Sequence, residues 1–141
     1  MRFMIIVKAS KDSEAGVMPG NALLAQMAAY HEELAKAGVL VDGNGLQASA
    51  KGWRIRYDGE KRTYVDGPFA ETKELIAGYT IINVKSLQEA IAWTKRFPNP
   101  AGNGKAGEIE VRQLFELEDF GDSAAVDRFR ELDTARRNRE Q

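Results

Sequence analysis

The residues with the clearest chemical potential lie in one short charged stretch, residues 64–79. Asp66 ends a predicted strand there and stands directly before Gly67 and Pro68, where a rigid turn can aim its carboxylate. A carboxylate that is partly withdrawn from water can serve as a general acid or base, and this is the catalytic role we predict for Asp66. The alternative is that Asp66 only stabilises the turn by bonding to its own backbone.

A cluster of alternating charges follows the turn and could hold a polar ligand. We predict that Glu71 points into a cleft and pairs with Lys73 or Arg112, so that these residues orient a substrate. The alternative is a solvated turn of helix that includes Glu74, since runs of charge usually face water. The nearness of Asp66 favours the functional interpretation, because two neighbouring carboxylates can differ in proton affinity.

The three residues after Asp66 are predicted to shape the turn. Gly67 is expected to adopt a positive φ, and Pro68 to restrict the backbone. Phe69 is expected to fill either the core or a subunit interface. Together they form the structural part of the motif.

His31 is the only histidine in the sequence, which makes it a weaker candidate for a general base. It follows Tyr30 on a predicted helix but lies off the main apolar stripe. Its neighbours Glu32 and Glu33 look solvated, so the alternative is a histidine on the helix flank without a function.

Two arginines and a tyrosine complete the predicted substrate-binding set. Arg54 lies on the first strand of a predicted hairpin whose second strand ends at Asp66, and Tyr79 lies on the strand that follows the charged stretch. Arg112 could bind a carboxylate through two parallel hydrogen bonds. Alternatively, Arg112 is the cross-strand partner of Glu110 or Glu108.

Composition excludes several other function classes. The 141 residues carry a net charge of −1 and 43% hydrophobic residues, so the sequence predicts one soluble domain with no global field for nucleic acid or membranes. The absence of cysteine excludes disulfides and thiolate chemistry, and a single histidine excludes a two-histidine metal site. No apolar run reaches the ~20 residues of a membrane span. We therefore expect a cytoplasmic protein that uses no metal or organic cofactor.

The first half of the chain predicts a strand, a helix and a second strand. Residues 2–8 are apolar on both alternating faces, which is typical of a central strand. After a loop at 9–20, a helix is predicted over 21–37, with Asn21 as its N-cap and Gly38 as its stop. The second strand starts at residue 39, and residues 42–45 are predicted to interrupt it before Leu46.

A hairpin follows, with strands at 53–57 and 62–66 joined around Asp58-Gly59. The loop length decides which residues share a face. We favour an odd-length loop, which would place Arg54 and Arg56 on the face of Asp66 and separate charged from apolar side chains. An even-length loop remains the alternative.

The second half repeats the strand-helix-strand order. A central strand is predicted over 78–85, and Ser86 begins a helix that ends before Pro98. The predicted inner face of this helix consists of Leu87, Ala90, Ile91 and Thr94. The last strand is predicted over 108–116, and Ser123 caps a terminal helix that reaches about residue 138.

This element order predicts an α+β fold, the ferredoxin-like split β-α-β plan with a hairpin insertion. The two helices would cover one sheet face, yet the central strands are apolar on both faces. A second copy, face to face, would cover the other face, so we expect a dimeric α+β barrel with its cleft between sheet and hairpin. The predicted domain spans 1–121, and 122–141 form a C-terminal helical extension.

The residues from Asp66 to Glu74 read DGPFAETKE and resemble the motif of the DGPF-type YCII-related (YciI-like) proteins. The resemblance covers roughly residues 1–121 and includes segments around 30–49, 78–98 and 107–121. It implies a bacterial, cytoplasmic, dimeric α+β barrel. The broader superfamily has a His–Asp pair as an acid/base site, of which only Asp66 is carried over. The sequence departs from the pattern at Asn44, Ala48, Thr80 and Gln113.

Two functions follow from these observations. The first is a cofactor-independent enzyme or ligand-binding protein for a small polar compound, with Asp66 as acid/base and Glu71 with an arginine as orienting groups. The second is a non-enzymatic accessory protein that contacts a partner through residues 122–141. The resemblance implies a stress response linked to a sigma factor for it, since many members of that family are encoded beside extracytoplasmic-function sigma factors.

Overall fold

The computed structural model describes residues 1–140 as a mixed α+β fold. The strands are β1 (Arg2–Lys8), β2 (Leu40–Gly45), β3 (Trp53–Asp58), β4 (Lys61–Asp66), β5 (Ile76–Asn83) and β6 (Ile109–Gln113). The helices are α1 (Lys11–Glu14), α2 (Asn21–Lys36), α3 (Leu87–Lys95) and α4 (Ala124–Glu140). Four strands form an antiparallel sheet in the order β2-β5-β1-β6, while β3 and β4 form a separate hairpin. The predicted ferredoxin-like plan is confirmed.

The hydrophobic core lies between this sheet and the two long helices that precede β2 and β6. Ile5 and Ile82 from the central strands and Leu34 from α2 are each fully buried. Trp93 and Phe97, from α3 and the turn after it, pack against this cluster. Burial of such side chains contributes about 1.5–3 kcal/mol each, which explains why alternation in β1 and β5 is sufficient to orient the sheet.

The capping predictions are confirmed at α3 but not at α2. The Ser86 hydroxyl accepts a hydrogen bond from the Glu89 backbone N–H at 3.1 Å. In contrast, α2 begins at Asn21 itself, and Gly20 is the N-cap without a side-chain bond. Gly38 has φ +74° and ends α2 as predicted.

The predicted inner face of α3 is partly wrong. Ala90 is buried, but Leu87 and Ile91 are 50% and 44% exposed. The helix is rotated so that the large ring of Trp93 meets the core, and Trp93 and Phe97 both lie edge-on to Tyr30.

Two loop predictions are also wrong. Residues 42–45, predicted to interrupt the second strand, belong to β2 and pair with residues 78–81 of β5. A shift in register between Leu40 and Asp42 absorbs the irregularity. The predicted 9–20 loop contains the short helix α1, which Ser10 caps through a reciprocal bond with Ser13.

The favoured hairpin register is wrong, and the even-length alternative is correct. Asp58 pairs directly with Lys61, so the turn contains only Gly59 and Glu60. Gly59 has φ +61°, which fits a turn with glycine at its first central position. The side chain of Arg54 therefore points to the face opposite Asp66, together with Arg56.

The sheet face opposite the helices, here called the open face, has an apolar centre and polar edges. Met4, Ile6, Tyr79 and Ile81 are only half-buried there. Cross-strand pairing places them in two rows that end in polar residues, Asp42–Ile81–Met4–Arg112 and Asn44–Tyr79–Ile6–Glu110. As predicted, the central strands are apolar on both faces.

The terminal helix α4 follows a short 3₁₀ turn at Leu117–Phe120. The Ser123 hydroxyl accepts the Val126 N–H at 3.1 Å, as the predicted cap requires. Of the apolar side chains spaced three residues apart on α4, Val126 is buried, while Phe129 and Leu132 are 58% and 64% exposed. Within residues 1–140, no helix has the length and apolarity needed to cross a membrane.

Candidate functional site

One end of the sheet gathers residues from four separate segments, here called the motif corner. These segments are Glu14 of α1, residues 46–52 after β2, residues 67–69 after β4, and Leu75-Ile76 at the start of β5. Three of these segments line a depression of about 430 Å³, formed by Glu14, Leu46, Gln47, Ala48, Ser49, Lys51, Gly52, Leu75 and Ile76. Residues 67–69 do not line it but contact Ser49 and Gly52.

Gly67 fits the corner because it has no side chain. A Cβ atom placed on Gly67 would lie 1.8 Å from the Ser49 carbonyl oxygen, far inside any possible contact. The Gly67 N–H also donates to the Gly52 carbonyl at 3.0 Å. The predicted positive φ is wrong, since Gly67 is not among the glycines with positive φ. Close approach of two backbone segments, rather than turn conformation, requires glycine here. The Gly67–Pro68 peptide bond is cis.

A hydrogen-bond chain connects the motif to Glu14. The Phe69 N–H donates to Ser49 Oγ at 3.0 Å. The Ser49 hydroxyl and the Ser49 N–H both donate to Glu14 Oε2, at 3.0 and 2.9 Å. Because Ser49 Oγ accepts from Phe69, its single proton is directed to Glu14. The motif therefore fixes the orientation of a carboxylate that lines the depression.

Asp66 lies beside the corner but is not among the residues that line the depression. It is exposed at the end of β4, opposite Trp53. The Asp66 carboxylate raises the pKa of the exposed Tyr64 hydroxyl, mainly by hydrogen bonding and further by its charge. The structure thus brings Asp66 together with Tyr64 and not with Arg54.

Arg54 and Phe69 contact each other instead. The guanidinium carbon of Arg54 lies 3.7 Å from the centroid of the Phe69 ring, a cation–π contact. Phe69 is half-buried, and its ring attaches the hairpin to the motif. Arg54 therefore supports the corner from the hairpin side.

The charged residues after the motif do not form the predicted pairs. Residues 72–74 form a short 3₁₀ turn, and Glu71, Lys73 and Glu74 are exposed. Arg112 pairs with Glu110 at 3.4 Å on the same strand, rather than with Glu71. The predicted pairing of Glu71 with Arg112 is wrong because Arg112 projects from the open face, away from the motif.

Tyr79 lies on the open face within a polar cluster that the sequence did not reveal. The Tyr79 hydroxyl lies 3.3 Å from Asp42 Oδ2 and accepts from Asn44 Nδ2 at 3.1 Å. Asn44 Nδ2 also donates to Asp42 Oδ1 at 3.3 Å. Tyr79 and Arg112 thus share a sheet face, with the apolar centre between them.

His31 is a bridge between α2 and the sheet, contrary to the predicted solvated flank. Its Nδ1 lies 2.7 Å from the Met27 carbonyl, which can only accept, so Nδ1 carries the proton. Its Nε2 lies 2.8 Å from the hydroxyl of Thr80, which is 3% exposed. In this tautomer Nε2 accepts the Thr80 proton, and His31 satisfies a buried hydroxyl.

No cluster of three or more potential metal ligands occurs within residues 1–140. Neither Glu14 nor Ser49 was predicted from the sequence to have a chemical role. The available signal was Ser10 with Ser13, a capping pair that predicts a helix where a loop was expected. That helix presents Glu14 to a partner 35 residues away, which periodicity cannot show.

Comparisons with known proteins give one family and two individual similarities. An uncharacterized protein of Rhizobium meliloti (strain 1021) is 30% identical over 92 residues, which cover 65% of this chain and 73% of that protein. The solved 5-chloro-2-hydroxyhydroquinone dehydrochlorinase of Burkholderia phenoliruptrix AC1100, in complex with 2,5-dihydroxybenzoquinone, superposes with a TM-score of 0.42 and 16% identity. That superposition covers 82% of this chain and 95% of the other. The family model of the YCII-related domain matches residues 1–118, so the chain belongs to the YCII-related family.

Proposed function

We propose that the protein is a cofactor-independent enzyme or ligand-binding protein that takes a small molecule at the motif corner. The observation that carries this proposal is the hydrogen-bond chain from Phe69 through Ser49 to Glu14. The Phe69 N–H donates to Ser49 Oγ, and the Ser49 N–H and hydroxyl both donate to Glu14. These three hydrogen bonds fix a carboxylate at the wall of a depression. Such preorganisation is what binding sites require and what a surface turn does not.

The size and lining of the depression support a small ligand. Its volume of about 430 Å³ falls in the range of small-molecule sites, roughly 300–1,000 Å³. Leu46, Leu75 and Ile76 supply apolar walls, and the polar side chains of Glu14, Gln47, Ser49 and Lys51 complete the lining. An oriented carboxylate beside apolar walls suits proton transfer, isomerisation or elimination on a polar or aromatic compound.

The geometry favours Glu14 over Asp66 as the reactive carboxylate. Glu14 lines the depression, and two donors from Ser49 hold it. Asp66 directly precedes Gly67 at the rim and is exposed. The role that the sequence predicts for Asp66 is therefore the competing assignment, which separate substitutions distinguish.

Thermal-shift screening of a library of small polar and aromatic compounds tests the proposal. Compounds that raise the Tm of the wild type should lose this effect in Ser49→Ala, because the carboxylate is no longer fixed. Thr63→Ala, which removes an exposed hydroxyl from the hairpin, is the matched control and should keep the full shift. Asp66→Asn should also keep it.

Two results would count against this assignment. Loss of the ligand-induced shift in Asp66→Asn, with the shift kept in Ser49→Ala, would return the reactive role to Asp66. A library in which no compound stabilises the wild type would favour the accessory-protein alternative. The exposed Phe129 and Leu132 of the proposed extension, residues 122–141, support that alternative.

We also propose that the protein is a homodimer that joins through the open face. The half-buried Met4, Ile6 and Ile81 form an apolar centre on a face that the two core helices leave uncovered. Ile81→Glu should therefore convert the dimer to a folded monomer, measured by light scattering and circular dichroism. Leu24→Glu, at a site 51% exposed on α2, should stay dimeric. A wild-type monomer, or a dimer that survives Ile81→Glu, would contradict this arrangement.

A further inference from the structure

Glu14 has one carboxylate oxygen that the corner itself does not use. Both Ser49 donors bind Oε2, at 2.9 and 3.0 Å. Within residues 1–140, Oε1 accepts no hydrogen bond, and Glu14 forms no ion pair. The carboxylate is therefore fixed through one oxygen, while the other remains available to a molecule in the depression.

Lys51 supplies the opposite charge. Among the residues that line the depression, Lys51 carries the positive charge and Glu14 carries the negative charge. In the part of the chain that the structure describes, Lys51 forms no ion pair. Its compact ammonium group can bind a carboxylate as a point charge.

The remaining lining is mostly apolar. Leu46, Ala48, Leu75 and Ile76 form the apolar part of the lining and can contact the apolar body of a ligand. Glu14 would repel a ligand that carries only a negative charge, and Lys51 would repel a ligand that carries only a positive charge. A ligand with one of each satisfies both residues.

We infer that the motif corner binds a small zwitterion with an apolar body, such as an amino acid, its ammonium group bound by Glu14 and its carboxylate by Lys51. This inference rests on the proposed function and adds the ligand class to it. The motif then has a defined part: Phe69 and Ser49 position Glu14, and Glu14 selects the ammonium group. Ser49 is a positioning residue, because it acts through the carboxylate.

Three matched probes test the inference by isothermal titration of the full-length protein. L-phenylalanine carries both charges, 3-phenylpropionate lacks the ammonium group, and 2-phenylethylamine lacks the carboxylate. L-phenylalanine should bind about tenfold more tightly than either, since a hydrogen bond to a charged group contributes about that factor or more. Equal affinities for all three probes would overturn the inference.

Two variants assign the recognition to the named residues. Glu14→Gln keeps an oxygen for the Ser49 donors and removes the charge, so it should abolish the preference for L-phenylalanine over 3-phenylpropionate. Lys51→Met keeps the aliphatic stem and should abolish the preference over 2-phenylethylamine. Preferences that persist in both variants would contradict the assignment.

The inferred ligand class and the proposed function can fail separately. If other library compounds bind at the corner and none of the three probes does, the ligand class is wrong and the proposed function stands. If no compound binds at the corner, the proposed function fails and the inference fails with it.

Discussion

Replacement of Gly67 with alanine should lower the free energy of unfolding by about 3 kcal/mol or more, which is at the upper end of overpacking costs. The added Cβ would lie 1.8 Å from the Ser49 carbonyl oxygen and 2.7 Å from the Ser49 carbonyl carbon. Both are backbone atoms that cannot rotate away, so the two segments must separate. Separation also breaks the hydrogen bond from Gly67 to Gly52 and displaces Phe69 from Ser49.

Urea unfolding monitored by circular dichroism measures this effect, with Gly52→Ala as the matched control. A Cβ on Gly52 would meet only the Ser49 carbonyl oxygen, at an ordinary 3.6 Å, and its φ of −115° suits alanine. The control should stay within about 0.5 kcal/mol of the wild type. Equal stabilities of Gly67→Ala and Gly52→Ala would show that the close approach does not exist in solution.

Alkaline pH should destabilise the fold through Tyr30. Its side chain is 4% exposed, and burial raises the pKa of Tyr30 to about 12 from its ordinary value near 10. Between these values the unfolded chain releases the proton while the folded chain keeps it, so stability falls as pH rises. A shift of this size corresponds to about 2 kcal/mol lost between pH 10 and 12.

The measurement is the free energy of unfolding at pH 9 and near pH 12, for the wild type and for Tyr30→Phe. The variant also removes the hydrogen bond to the Trp93 carbonyl, 2.7 Å away, and so should be less stable at pH 9. Its stability should fall less with pH than that of the wild type, because other titrating groups are common to both proteins. Identical pH dependence in the two proteins would show that Tyr30 does not titrate as burial requires.

Much of the architecture follows from local features that a sequence shows directly. Apolar alternation in β1 and β5 defines the two central strands, and Ser86 with Glu89 marks the start of α3. Gly38 marks the end of α2 through its positive φ. Each of these signals depends on residues within one element, so each can be interpreted without knowledge of the partner segments.

The hairpin register could not be obtained in this way. Separation of charged from apolar residues favoured an odd-length loop, but in the hairpin charged and apolar side chains are both exposed. Trp53, Tyr57 and Tyr64 are all more than half exposed, so burial does not select the register. The turn itself determines the hairpin register, because Gly59 with φ +61° fits a loop of only two residues.

The residues that line the depression were not among those that the sequence singled out. The motif contacts the wall of the depression from behind, through backbone: Gly67 lies against the Ser49 carbonyl, and the Phe69 N–H donates to Ser49 Oγ. The carboxylate that this backbone orients is Glu14, which a chain of two hydrogen bonds joins to Phe69. A contact between residues so distant in sequence depends on how α1 and residues 46–52 pack, which no spacing within the motif reveals.

The location of a bound compound shows whether the motif corner is the functional site. Two-dimensional ¹H–¹⁵N NMR of the labelled protein, titrated with stabilising compounds from the library, reports which backbone amides respond. We predict that the largest changes occur at Ser49, Gly52, Leu75 and Ile76, which line the depression. Changes confined to the exposed hairpin face around Trp53 and Tyr64, or to the open face around Tyr79, would contradict the assignment of the motif corner as the functional site.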